Sequence, residues 1–203
     1  MPEDGPRTHN LRLFVAIELP DDVHTALRRA IEVLQRAGAA DGLRWVRPES
    51  IHLTLKFLGA TSEGDIPAIN TALRIAVRDT PPFHLRPGGI GSFGGRRGLR
   101  VVWVSLDGDT PAVTSLAAGI DAALQRLNIE PEQRALNPHL TLARVREDAS
   151  PEQRARIHDV LARVEASPFP EFTVTAVSLM QSTLQRGGAV YNQLASYPLE
   201  GTR

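Results

Sequence analysis

Ser50-Ile51-His52-Leu53-Thr54-Leu55-Lys56-Phe57-Leu58-Gly59 decides how this chain is read, because its core recurs as Asn137-Pro138-His139-Leu140-Thr141-Leu142-Ala143-Arg144. The shared word is His-Leu-Thr-Leu, and the second copy starts 139 − 52 = 87 residues after the first. Each copy is predicted to be a β-strand. Side chains alternate faces along a strand, so His52 and Thr54 project together, opposite Ile51, Leu53 and Leu55. His139 and Thr141 do the same against Leu140 and Leu142. Each strand thus offers one face to a core and, on the other, an imidazole beside a hydroxyl.

The surroundings recur as well. Leu11-Arg12-Leu13-Phe14-Val15-Ala16 and Leu99-Arg100-Val101-Val102-Trp103-Val104 are offset by 99 − 11 = 88 residues. Residues 11–19 alternate as a strand, with Arg12, Phe14, Ala16 and Glu18 on one face. A helix opening at Pro20-Asp21-Asp22 and ending at Gly38 has its counterpart from Thr110 to Leu127. A further helix runs from about Glu63 to Pro81-Pro82, and residues 43–46, 83–86 and 90–93 read as strands. Ser150-Pro151-Glu152-Gln153 carries a capping-box spacing for another helix. Two final strands, 172–180 and 190–197, joined through Gly187-Gly188, are expected to complete the second lobe. A four-residue word repeats easily by chance, but strand, helix and motif strand in constant order and spacing do not. The expectation is an α+β chain with mainly antiparallel sheets and two pseudo-symmetric lobes, residues 11–98 and 99–203, after a flexible leader at 1–10.

The run Gly88-Gly89-Ile90-Gly91-Ser92-Phe93-Gly94-Gly95-Arg96-Arg97-Gly98 is expected to be a surface connection between the halves. Arg96 and Arg97 are candidate substrate contacts within it. It matches no phosphate-binding fingerprint, lacking Gly-Lys-Ser/Thr and a following helix.

Composition narrows the class. A chain of 203 residues can bury a real core as one domain or two small lobes. Formal net charge of zero argues against a broad polyanion-binding surface while allowing a local basic groove. With no cysteine there is no disulfide, thiolate nucleophile or Cys-based metal site. No apolar run approaches the roughly 20 residues of a membrane span, and the polar start has no signal-peptide core. A soluble, cytoplasmic, monomeric protein is expected.

Three chemistries could use two His-Thr strands. A zinc site needs more ligands than two His, and neither strand adds a carboxylate at ligand spacing. A Ser-His-Asp hydrolase needs one His and a Gly-x-Ser-x-Gly elbow, which the chain lacks. Paired general acid and base on a phosphodiester fits best. In-line displacement needs a base on the attacking oxygen and an acid on the leaving oxygen, on opposite sides of phosphorus. Imidazoles titrate near neutrality, and Thr54 and Thr141 can donate to the non-bridging oxygens. No metal or other cofactor is required.

These motifs, together with Arg12-Leu13-Phe14-Val15-Ala16-Ile17, Arg44-Trp45-Val46 and Val190-Tyr191, resemble the two-histidine phosphoesterases over almost the whole chain. The nearest branch is the RNA 2′,3′-cyclic phosphodiesterase / 2′-5′ RNA ligase family. The resemblance implies a bilobal fold with both motif strands facing a central groove. It also implies hydrolysis of RNA 2′,3′-cyclic phosphate ends to 2′-phosphates, with weak reversible 2′-5′ ligation of tRNA halves. By that resemblance His52 is the general acid and His139 the base, roles that the pseudo-symmetry would allow to be swapped. Thr54, Thr141 and Arg144 would hold phosphate, while Phe14 and Phe57 would be aromatic groove contacts. Simple alternation puts Arg144 and Phe57 on the face away from the His, so this requires the strands to bulge or end first. Alternation also puts Lys56 with His52 and Thr54, directed into the groove or solvated at the strand end.

Other readings are a phosphodiesterase for small cyclic nucleotides or cyclic phosphates, and a non-catalytic module that binds RNA ends. An ATP-dependent ligase is disfavoured, because Lys56 is the only lysine and sits in no adenylation motif.

Overall fold

The computed structural model describes residues 10–165, 168–185 and 188–202, without the side chains of Arg96 and Arg97. The expected leader up to residue 9, the two arginine side chains and Gly187 therefore lie outside the described residues. In chain order the elements are β1 (Asn10–Ile17), α1 (Asp21–Leu34), β2 (Leu43–Trp45), β3 (Leu53–Ser62), α2 (Ile66–Val77), β4 (Phe83–Phe93) and α3 (Gly95–Gly98). The rest are β5 (Val101–Gly108), α4 (Thr110–Gln125), β6 (His139–Val145), α5 (Pro151–Leu161), β7 (Phe172–Val174), β8 (Ala176–Gln185) and β9 (Gly188–Pro198).

Local chemistry sets the ends of these elements. Asp21 and Asp22 occupy the first turn of α1, where the helix dipole favours negative charge. Val23, Leu27, Ala30, Ile31 and Leu34 form its buried stripe. The chain turns away at Gly38, whose φ of 100° suits glycine. The capping box before α5 is formed: Ser150 Oγ accepts from the Gln153 amide at 3.2 Å, and Gln153 Oε1 accepts from the Ser150 amide at 2.8 Å.

The fold is α+β, with a four-stranded sheet in the order β3-β1-β8-β9 and a five-stranded sheet in the order β2-β6-β5-β4-β7. Every pairing is antiparallel. The motif strands β3 and β6 hold equivalent places, each beside the strand (β1 or β5) that also recurs in sequence. The expectation that the tail completes the second lobe is corrected. β8 and β9 join the first motif's sheet, while β2 and β4, from the first half, join the second motif's sheet. The reason is edge closure: β1 leaves a free edge that β8 covers, and β5 leaves one that β4 covers, so each half finishes the other's sheet. One hydrophobic core runs through both sheets and includes residues of α1, α2, α4 and α5.

The glycine-rich stretch is corrected in part: the strand expected at 90–93 is present and pairs with β5, Gly88 and Gly89 carry β4 through an irregularity in that pairing instead of forming a connection, and α3 follows directly. Glycine is needed there for space: a Cβ at Gly91 would stand 2.3 Å from the Trp103 ring. The bare backbone lets that indole lie across the strand. No helix among the described residues is long and apolar enough to cross a membrane.

Candidate active site

The same irregularity in both motif strands aims the site. On β3, Ala16 pairs with Thr54 and Val15 with Lys56, so Leu55 is an extra residue. On β6, Trp103 pairs with Thr141 and Val102 with Ala143, so Leu142 is extra, and it lies 142 − 55 = 87 residues on. Such a bulge puts two successive residues on one side and resets the alternation beyond it. Leu55 and Lys56 are both buried, as are Leu142 and Ala143. Beyond the bulges, Phe57 pairs with Phe14, and Arg144 with Val101 and Arg44. Phe57 and Arg144 thereby return to the face of the His and Thr residues.

Lys56 is displaced by the same device, which corrects the expectation of a groove-facing or solvated lysine. It is 3% exposed, and its Nζ lies 2.7 Å from Asp121 Oδ1 of α4. It also donates to the Glu130 carbonyl. Asp121 in turn accepts from the Glu132 amide at 3.0 Å and from Gln125 Nε2 at 2.7 Å. Burial pushes the Asp121 carboxyl up, but the Lys56 ammonium and these amides together hold it below the ordinary carboxylate value. The network ties β3 to the segment that leads into the second motif.

The two imidazoles are anchored alike. His52 Nδ1 lies 2.9 Å from the Ser50 carbonyl, and His139 Nδ1 2.7 Å from the Asn137 carbonyl. A carbonyl can only accept, so Nδ1 carries the proton in each ring and Nε2 is left for proton transfer. His52 stacks on Phe14 at a centroid distance of 4.8 Å and meets the edge of Tyr191 at 5.0 Å. Phe93 meets His139 edge-on at 4.9 Å. Burial lowers the His52 pKa below the usual imidazole value, against smaller opposing effects of the Ser50 carbonyl and the Glu18 charge.

Phe14 is only 2% exposed, under His52 and Tyr191. It cannot offer a ring face to a ligand, so its expected part as a groove contact is corrected to a support for His52. Phe57, 62% exposed, has a free face. An open groove of ≈ 1560 Å³ joins the two motif strands, with Thr54 and Phe57 on one side and Phe93, His139 and Arg144 on the other. Arg44, Arg100, Arg134 and Arg146 also line it, and with Arg144 they outnumber the lining carboxylates Glu132, Glu147 and Asp148, a local positive excess in a chain of zero formal net charge. Thr141 is half-buried on β6, two residues beyond His139 and before the bulge. Among the described residues, no three of His, Cys, Asp and Glu cluster so as to hold a metal ion.

Sequence reasoning gave no role to Tyr191, Phe93, Arg100 or Arg134. Tyr191 reaches His52 only because β8 and β9 join the first sheet. For the bulge a signal existed: the adjacent apolar pair Leu142-Ala143 breaks strict alternation within the second motif.

His139 and Thr54 line the groove, whereas His52, packed against Phe14 and Tyr191, and Thr141 are not among its lining residues. Two antiparallel sheets, each carrying a His-x-Thr strand with its His anchored through Nδ1, match the two-histidine class of phosphoesterase. The chain belongs to the 2′-5′ RNA ligase superfamily, whose sequence pattern matches residues 14–186. It is 29% identical over 189 residues to a Methanothermobacter thermautotrophicus protein named RNA 2′,3′-cyclic phosphodiesterase, covering 93% of this chain and 99% of that one. A Thermus thermophilus protein of the same name is 31% identical over 196 residues, covering 94% and 91%. The crystal structure of a Thermus thermophilus protein matches with a TM-score of 0.78 at 29% identity, covering 95% of this chain and all (100%) of that one. Escherichia coli LigT shares the fold with a TM-score of 0.72 at 24% identity, covering 94% and 98%.

Proposed function

We propose that the protein hydrolyses 2′,3′-cyclic phosphate ends of RNA to 2′-phosphomonoesters, using His52 and His139 as general base and acid without a metal. The observation that carries this reading is the doubled anchoring: two imidazoles, each held through Nδ1 by the carbonyl two residues upstream, with a Thr on the same strand face. The relatives named RNA 2′,3′-cyclic phosphodiesterase support the substrate class.

In the proposed reaction, one Nε2 takes a proton from water as its oxygen attacks phosphorus. The bond from phosphorus to the 3′-oxygen breaks, and the other imidazolium gives that oxygen its proton. The phosphate remains on the 2′-oxygen. Thr54 and Thr141 donate to the non-bridging oxygens, Arg144 adds a fixed positive charge, and Phe57 offers a face for a base. Burial favours the neutral form of His52, which is the form a base needs. This supports His52 as base and His139 as acid, the reverse of the assignment expected from the family resemblance. A 5′-hydroxyl in place of water would give a 2′-5′ linkage by the same proton transfers, in keeping with the superfamily's name.

The test is product analysis on an RNA ending in a 2′,3′-cyclic phosphate, in the presence of EDTA. A 2′-phosphate product is expected, with kcat/KM lowered about 10²–10⁴-fold in both His52→Ala and His139→Ala. The profile should be bell-shaped, and residual activity of His52→Ala should lack the acidic limb. A 3′-phosphate product, loss of activity in EDTA, or full activity in either variant would overturn the proposal.

A further inference from the structure

The face of the four-stranded sheet on which His52 stacks against Phe14 carries a second polar set. Glu18 continues the face of Phe14 and Ala16 as the chain leaves β1. Ser178 lies opposite Ala16 on β8, and Gln193 lies opposite Met180, itself the partner of Phe14. Ser178 is 3% exposed and donates its hydroxyl to Glu18 Oε2 at 2.6 Å. Gln193 Nε2 donates to the same carboxylate oxygen and, at 2.9 Å, to Ser178 Oγ. The Glu18 charge is felt at His52, where it favours protonation, so the set belongs to the surroundings of that imidazole.

The hydrogen-bond inventory then fixes what is left over. A carboxylate only accepts, so the amide of Gln193 must direct its nitrogen to Glu18 and its Oε1 away. Both amide hydrogens and the Ser178 hydroxyl hydrogen are used within the set. Glu18 Oε1 and Gln193 Oε1 have no partner among the described residues, and both side chains are exposed. The outward edge is therefore two acceptors and no donor, on a carboxylate held in place by a buried hydroxyl.

Such an edge complements two adjacent donors. Of the four RNA bases only guanine offers them, with N1–H beside the N2 amino group. Adenine and cytosine place one amino group beside a ring acceptor, and uracil sets its single N–H between two carbonyls. We propose that Glu18 and Gln193 form a base-reading subsite that selects guanosine as the nucleoside bearing the cyclic phosphate.

This inference rests on the cyclic phosphodiesterase reading, and the experiment separates the two. Turnover of the four nucleoside 2′,3′-cyclic monophosphates is measured alongside calorimetric binding of the four nucleoside 2′-monophosphates. Guanosine should exceed adenosine by about tenfold or more in kcat/KM and in affinity, as hydrogen bonds to a charged acceptor imply. Glu18→Gln should collapse the guanosine-to-adenosine ratio toward one. A purely structural role, or a shift in His52 titration, would move all four substrates together and leave that ratio intact. Equal turnover and equal binding of guanosine and adenosine by the unaltered protein would overturn the subsite. Guanosine-selective binding without turnover of any cyclic substrate would support the subsite and overturn the activity.

Discussion

Replacing Lys56 by Met tests how the two motifs are held in register. The ammonium is 3% exposed, sits 2.7 Å from Asp121, itself 17% exposed, and donates to the Glu130 carbonyl. Removing one member of a buried pair costs about 3–5 kcal/mol, chiefly because the other charge is left uncompensated. Asp121 keeps its bonds from Gln125 and the Glu132 amide, and its residual exposure lets water in, so the low end applies, about 3 kcal/mol. For a chain of this size each kcal/mol lowers Tm by about 2–4 °C, giving a fall of about 6–12 °C. Urea unfolding of the full chain should show a lower midpoint at unchanged slope. The double variant Lys56→Met/Asp121→Asn should recover roughly 1 kcal/mol or more, since a neutral amide leaves no stranded charge. A single-variant loss below about 1 kcal/mol, or losses that simply add in the double variant, would refute the reasoning. The Glu130–Asn137 segment lines the groove at Glu132, Arg134, Ala135, Leu136 and Asn137. Its release should therefore raise KM as well as lower stability.

Three further outcomes follow from burial and space. Phe14→Ala should destabilise by about 3–5 kcal/mol as a core truncation, whereas Phe57→Ala should stay within about 0.5 kcal/mol of the parent and instead raise KM for oligonucleotides; calorimetric unfolding and steady-state kinetics distinguish the pair. Gly91→Ala should cost about 1–3 kcal/mol through overpacking against Trp103, visible as a shifted tryptophan emission and a lower urea midpoint. His52 and His24 both have imidazole pKa values lowered by burial, so the unfolded chain binds more protons; stability should be full above about pH 6.5 and fall as pH drops toward their folded values. A Tm that is flat or rises over that interval would contradict the burial of these rings.

The paired site was legible because it rests on short words at constant spacing, and strand periodicity then assigns faces without any tertiary knowledge. What alternation could not supply was the bulge. Leu55 and Leu142 look like ordinary strand residues, yet each makes two neighbours face the core and turns Phe57 or Arg144 back to the groove. Lys56 was misread for the same reason, since a count of two per repeat fails one residue past a bulge. Outside residues 90–93 the glycine-rich stretch reads as a connection, because its composition is that of a turn. Its strand role depends on the Trp103 ring arriving from another strand to fill the space that Gly91 leaves. The partnership of Glu18 with Ser178 and Gln193 spans most of the chain and depends on which sheet the last strands join.

The crossed assembly of the sheets has a mechanical consequence. The chain passes from one sheet to the other between β1 and β2, β2 and β3, β3 and β4, and β7 and β8. Four covalent straps and a common interior thus join the two sheets, where a hinged pair of lobes would have one. On the proposed function, the two imidazoles would then be held at a fixed spacing, and little of the binding energy would be diverted to closing the site around a phosphodiester.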